Sequence, residues 1–269
     1  MDTLSSTFQK VAGSAFAALF QGIKVLRPQR PIHPEGILLV GTLERDGDLG
    51  ERSGIPWIDT AGTNAVRARL SRSIGLPDAL PDIIGLAVHF TEQGKEADML
   101  LATTGATGMG RFLLRLRRNA TAAVFSSMMP YKAANGPVLL GARTIGGPAT
   151  LPVEPRAFRA SLGNGSWILE LHHASPLGPW TRFGTLTLSL ADDYAADTAE
   201  RFDPVLNPLP TAGTYSWTRR LREPSYAVAR RRKLGNKATR PQTFPTVAPL
   251  RPPRRPGWRE TMPLHLPRR

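Results

Sequence analysis

The sequence predicts an α+β chain built on an eight-stranded antiparallel β-barrel with flanking helices. Three observations predict it. Eight short apolar or alternating stretches are bounded by turn residues. Stretches of helical period interrupt them, and glycine and proline, 25 of each, punctuate the whole chain. In order, Phe8, Val11, Ala12, Ala15, Leu19 and Ile23 recur at helical spacing, with Ser5 or Ser6 placed to cap the start. That amphipathic helix forms an N-terminal arm over 1–29, packed on the domain or on a partner subunit. A proline-rich link follows at 27–31. Strands are expected over 36–43, 65–70, 85–90, 98–102, 138–142, 157–161, 167–172 and 183–190. Turns close the first strand at 44–47 and join the third and fourth at 92–95. Helices are expected over 111–123, 193–201 and 224–233. The barrel domain then covers 30–238. A tail over 239–269, rich in Pro and Arg and without periodicity, is read as extended over the surface or disordered.

Hydrophobic residues make up 41% of the 269, enough to bury a sizeable core. The chain has no cysteine, which excludes disulfides, thiolate metal sites, iron–sulfur clusters and a cysteine nucleophile. Net charge is +14, yet from Arg219 onward there are 15 Lys and Arg against Glu223 and Glu260, so the first 218 residues are almost neutral. The basic end is either a solvated, solubilising tail or a contact for nucleic acid, anionic lipid or an acidic partner. No nucleic-acid motif accompanies it. The apolar run over 11–26 is broken by Gln21, Gly22 and Lys24, so neither a secretory signal nor a membrane span is expected, and the expected location is cytoplasmic.

Arg222, Tyr226 and Lys233 are spaced by four and seven residues, which puts them on one helical face. A phenol flanked by two cations is a place where a phenolate can exist at neutral pH. Taken alone, the trio also reads as a surface cation–aromatic pair. Of the five histidines, His89, His172 and His173 fall in expected strands and read as structural or surface residues, and His265 lies in the tail. His33 differs. It sits in Arg30-Pro31-Ile32-His33-Pro34-Glu35-Gly36, just before a buried strand. Ala68-Arg69-Leu70-Ser71 comes next, and then Asp82-Ile83-Ile84-Gly85-Leu86-Ala87-Val88-His89-Phe90.

This ordered set resembles the haem catalases. In that family an arginine precedes the distal histidine by three residues and a glycine follows it by three. An Arg-Phe-Ser motif and an Asp-Pro-Arg-Gly-Phe-Ala-Val-x-Phe element come next. Phe183-Gly184-Thr185-Leu186-Thr187-Leu188 is similar to the family's last barrel strand, and Phe202-Asp203-Pro204 to its Phe-Asp-Pro turn. The matches run from Arg30 to Asn236, with the middle, 111–180, weakly matched. The chain looks like a shortened member of the superfamily.

The resemblance implies haem b as cofactor, with Tyr226 as the iron ligand and Arg222 stabilising its phenolate. It implies His33 as general acid/base and Ser71 as the partner that fixes its tautomer. Arg30, Arg69 and Lys233 would pair with the haem propionates, lysine standing where arginine is usual. The departures matter too. The distal asparagine should fall within Asp98-Met99-Leu100-Leu101-Ala102-Thr103-Thr104, which has none. Thr103 or Thr104 is left as the candidate donor, with shorter reach than an amide, although both also read as part of a flexible turn. Ile84 replaces the arginine of the Asp-Pro-Arg-Gly element.

The expected activity is therefore peroxidase-like, on hydrogen peroxide or organic peroxides with a small-molecule electron donor, and with weak catalase activity. A homodimer is the expected assembly. Two other readings stand beside it: a catalase-fold protein without peroxide turnover, haem-binding or haem-less, and a binding or assembly protein acting through the basic tail.

Overall fold

The computed structural model describes residues 36–47, 50–78, 80–191 and 202–220. The helices expected over 8–23, 193–201 and 224–233, and the tail after 236, lie outside the described residues.

The chain opens with strand β1 (Gly36–Arg45), a short helix α1 (Pro56–Asp59), β2 (Gly62–Arg72), β3 (Asp82–Glu92) and β4 (Lys95–Thr104). A 3-10 turn (Gly108–Phe112) and β5 (Leu116–Arg117) lead to β6 (Val124–Ser126), β7 (Tyr131–Ala133) and β8 (Gly136–Gly146). Helix α2 (Pro155–Leu162), β9 (Trp167–Ala174), β10 (Thr181–Leu190) and β11 (Gly213–Thr214) follow. Eight strands pair antiparallel in the order β1, β2, β3, β4, β6, β8, β9, β10. Pairing of β10 with β1 and of β8 with β9 closes the ring. The other three strands are short additions: β7 and β11 extend from β8, and β5 pairs with the start of β3.

Side-chain alternation fills the barrel. Leu39, Ala68, Leu70, Leu86, Val88, Met99, Leu101, Phe125, Leu140, Leu169, Leu171, Leu186 and Leu188 all belong to one buried cluster. The register stacks them, with Leu39 opposite Ala68 and Leu70 opposite Leu86, which in turn faces Leu101. The tight turn from β3 to β4 uses Gln93 at φ 50° and Gly94 at φ 74°, the left-handed pair that matches the strand twist. One end of the barrel is plugged by Arg45. Its guanidinium lies 4.6 Å from the centre of the Trp57 ring and donates to the carbonyls of Trp57 and Thr60. Trp57 stacks on Phe90 at 4.9 Å.

The link from β2 to β3 is organised by Asp82, which is completely buried. Its carboxylate accepts the backbone N–H groups of Ile74, Gly75, Leu76 and Ile83 at 2.7–3.0 Å, and Arg72 Nε lies 3.5 Å away. The aspartate that opens the family-like element is thus a loop anchor in this chain.

Seven of the eight expected strands are present, and two expectations are corrected. Residues 157–161 are not a strand but part of α2. Glu154 caps that helix, accepting from the N–H groups of Arg156 at 2.8 Å and Ala157 at 2.6 Å, and these bonds lower its pKa. Pro155 occupies the first turn and Gly163 ends it at φ 51°. Phe158 and Leu162, four apart, form the buried stripe. The helix expected over 111–123 is replaced by the 3-10 turn, β5 and an Asn119 turn. Asn119 Oδ1 accepts from the N–H groups of Thr121 and Leu151 at 2.9 and 3.0 Å, which competes with helical bonding. The eighth barrel strand is β6, only three residues long.

Candidate functional site

The strands leave one distinctive surface on the outside of the barrel. Core-facing Val66, Ala68 and Leu70 alternate with Arg67, Arg69 and Ser71, so these three project outward. Across the sheet Ser71 is opposite Gly36 on β1 and Gly85 on β3. Gly85 is opposite Ala102 on β4, and Ala102 is opposite Ser126 on β6. Five residues no larger than serine therefore line up across five strands, a span of about 19 Å at ordinary strand spacing. Next in line on β8 is Gly141, where a methyl group would meet the Trp180 ring at 3.0 Å, so Trp180 bounds the row. The adjoining row is Leu38, Arg69, Ala87 and Leu100.

Arg69 marks one edge of this surface. A methyl group at Gly36 would lie 2.6 Å from its Cζ, so the guanidinium rests on the bare start of β1. That position is three residues after His33 in sequence. Ser71 is buried, and its Oγ lies 3.5 Å from the Gly85 carbonyl. The other edge is apolar: Met128 and Met129 form a buried pair against which Ala102 and Leu114 pack. Met128 is held at φ 56°, its N–H donating to Ser126 Oγ at 3.0 Å. A left-handed methionine is a strained choice, sustained by its surroundings.

The two candidate threonines separate. Thr103 belongs to the inward-facing set with Leu101, is completely buried, and has its hydroxyl engaged twice. Oγ1 accepts from Ile84 N–H at 3.1 Å and donates to the Arg115 carbonyl at 2.6 Å. It staples the crossing segment to the wall and is not brought to Ser71. Thr104 stands on the outer face, also buried, with its hydroxyl 3.1 Å from the adjacent Gly105 carbonyl. Within 98–104, the residue in the same cross-strand row as Ser71 is Ala102, whose side chain carries no donor.

Arg30, His33, Arg222, Tyr226 and Lys233 lie outside the described residues. Just ahead of Arg222 in sequence, residues 216–220 are helical. There Thr218 is 2% exposed, and neither its hydroxyl nor the Trp217 indole N–H has a hydrogen-bond partner among the described residues. Thr218 precedes Arg222 by four residues and Tyr226 by eight, the spacing of one helical face. Sequence reading missed it, because a threonine has no marked signature until its burial is known. Among the described residues no group of three or more His, Asp or Glu is arranged to hold a metal ion.

A second polar centre lies lower on β3 and β4. His89 and Asp98 are cross-strand partners, with Nδ1 2.7 Å from Asp98 Oδ1 and Nε2 2.7 Å from Glu96. The fully buried Asp98 also accepts from the Asp203 N–H at 2.6 Å and the Asn207 amide at 2.9 Å. Its own N–H donates to the Asn207 carbonyl at 2.9 Å. The Phe202-Asp203-Pro204 turn is thereby fastened to β4, on the outward set that also holds Ala102. His172 and His173 keep structural roles. Burial lowers the pKa of both, and neighbouring Glu170 and Asp59 respectively oppose the shift.

No family model matches the chain, and no curated protein matches it in sequence. Solved structures do. A fungal catalase superposes with a TM-score of 0.51 at 16% identity over 78% of this chain and 60% of its own. A bacterial catalase gives 0.51 at 14% identity, covering 76% and 57%. Catalase A from Saccharomyces cerevisiae gives 0.51 at 17% identity, covering 76% and 61%. The chain spans about three-fifths of the length of these catalases. Identity this low bears on architecture alone, and with the closed eight-stranded ring it establishes that this chain has the catalase-type barrel fold.

Proposed function

We propose that the chain is a haem-dependent peroxidase-like enzyme acting on hydrogen peroxide or organic peroxides. The observation that carries the proposal is the row Gly36, Ser71, Gly85, Ala102, Ser126 on the outer wall of a catalase-type barrel. A row with no side chain of its own larger than serine fits the face of a planar macrocycle, and Arg69 at its edge fits that group's carboxylates. The buried Thr218 hydroxyl, without a partner among the described residues and four residues before Arg222 in sequence, supports a polar group being held near the start of that segment. Haem, when bound, would supply the electrons that cleave the peroxide O–O bond.

The chain's own residues would do the rest. His33 would take the proton from the proximal peroxide oxygen and return it to the leaving oxygen. Ser71 would hold the imidazole in one tautomer. Arg222 would keep Tyr226 as phenolate, and Arg30, Arg69 and Lys233 would fix the macrocycle by its carboxylates. Thr104 is the candidate threonine on the outward face, and Thr103 is left out because its hydroxyl is already bonded twice.

Purified with haem supplied, the protein should show a haem absorption band that Tyr226→Phe shifts or abolishes. A protein that takes up no haem, or a band unchanged by Tyr226→Phe, would overturn the assignment. One observation favours a second reading, a haem-binding barrel without turnover: Ala102, in the same row as Ser71 with Gly85 between them, offers no donor. Mixing the haem-loaded protein with peroxide and a reducing donor decides between the two.

A further inference from the structure

We propose that the crossing segment 105–118, together with the turn 175–180, is a docking surface for an anionic lipid bilayer. The proposal does not depend on haem.

Large aliphatic side chains are rarely left in water beside one another without a use. Here Met109 is 54% exposed, Leu113 55%, Leu116 50% and Leu177 60%. Arg111 joins the segment that carries Met109, Leu113 and Leu116 to the turn that carries Leu177. Its guanidinium is buried, donates to the carbonyls of Ser175 at 3.1 Å and Gly178 at 3.0 Å, and stacks on Trp180 at 4.5 Å. Trp180 in turn donates its indole N–H to the Ala106 carbonyl at 2.7 Å. Burial lowers the Arg111 pKa, as expected of a cation used to hold two loops together. Met109, Leu113 and Leu177 therefore surround a fixed point.

The crossing segment itself carries charge of one sign, while Glu51 accepts from Thr181 beside the turn. Between Met99 and Val153 there is no Asp or Glu, while Arg111, Arg115, Arg117, Arg118, Lys132 and Arg143 all fall in that stretch. Arg115 and Arg118 are exposed, interleaved with the exposed leucines. Apolar tips alternating with cations are the pattern that seats a protein in the headgroup layer, aliphatic groups below and guanidinium groups at the phosphates. The other occupants fit less well. A second copy would bring the same cations against these, and the chain's own strongly basic end would be repelled. The apolar tips are spread over a 3-10 turn, a two-residue strand and two loop positions rather than along one long strand or helix face, which suits a fluid surface better than a matching protein groove.

The test uses the full chain, so that the basic end contributes equally throughout. Wild type and the double variant Leu113→Ser/Leu116→Ser are sedimented with vesicles of phosphatidylcholine alone and of phosphatidylcholine with phosphatidylglycerol. Wild type should partition to the mixed vesicles and keep part of that binding in high salt, which screens the tail but not apolar insertion. The double variant should bind them about tenfold or more weakly. Because the chain has no cysteine, Leu113→Cys carries a single environment-sensitive dye whose emission should shift to the blue on anionic vesicles. Equal binding by wild type and the double variant, or no shift, overturns the proposal. Capture of polyglutamate that the leucine substitutions weaken equally would assign the face to an acidic polypeptide instead and also overturn it.

Discussion

Replacing Asp98 by alanine is expected to cost the barrel about 3–5 kcal/mol, the range for removing one member of a buried, charged hydrogen-bond centre. Three donors lose their acceptor at once: the His89 ring, the Asp203 N–H and the Asn207 amide. None regains water fully, because the site they enclose is buried. Asp98→Asn keeps one acceptor oxygen and the side-chain volume, so it should cost clearly less. Denaturant midpoints for the three proteins check this. An alanine variant within about 1 kcal/mol of wild type would show that the 202–207 segment is not fastened through this carboxylate. In the haem-loaded protein the same variant should shift the absorption band, because the segment that precedes Tyr226 is held to β4 at this point.

Ala102→Asn is expected to raise the rate of reaction with peroxide by about 10²-fold in the haem-loaded protein. This is the lower end of what one positioned donor contributes to a transition state. The residue stands on the outer face, level with Ser71, and is only half-buried, so an amide can be accommodated by movement of the flexible Met128 and Met129. Rapid mixing of wild type and variant with hydrogen peroxide and with an organic peroxide measures it. The same substitution at Thr103 should give no gain and should destabilise the chain, since that side chain faces inward and braces Arg115. A gain at Thr103 and none at Ala102 would reverse the assignment of faces.

The sequence was legible wherever one signal spoke alone. Strand alternation marked β2, β3 and β4 because Ala68, Leu70, Leu86 and Leu101 have nowhere to go but the core. The Gln93-Gly94 turn announced itself by composition. Where two signals competed, the reading failed. Residues 157–161 are a short, partly apolar stretch that also suits a strand, yet the Glu154–Pro155 start and the Gly163 stop set a helix. Residues 111–123 are good helix formers, but Thr103 and Asn119 take the backbone into other bonds. For the site, residue identity was readable and orientation was not. Thr103 and Thr104 look equivalent in a string of letters, and only the register with Phe125 and Val124 assigns them to opposite faces. Nor could composition alone show that Ala102, an unremarkable residue, shares the outward row of Ser71 and Gly85.

The closed ring has a kinetic consequence. In an open sheet an edge strand can peel away after losing one ladder, which lets peripheral amides exchange with solvent while the centre stays folded. Every strand of the eight here has two ladders, so none can leave first. Amide deuteration of β3, flanked by β2 and β4 and buried on both faces, is then governed by opening of the whole barrel. The short appended strands β7 and β11 exchange through smaller, cheaper openings.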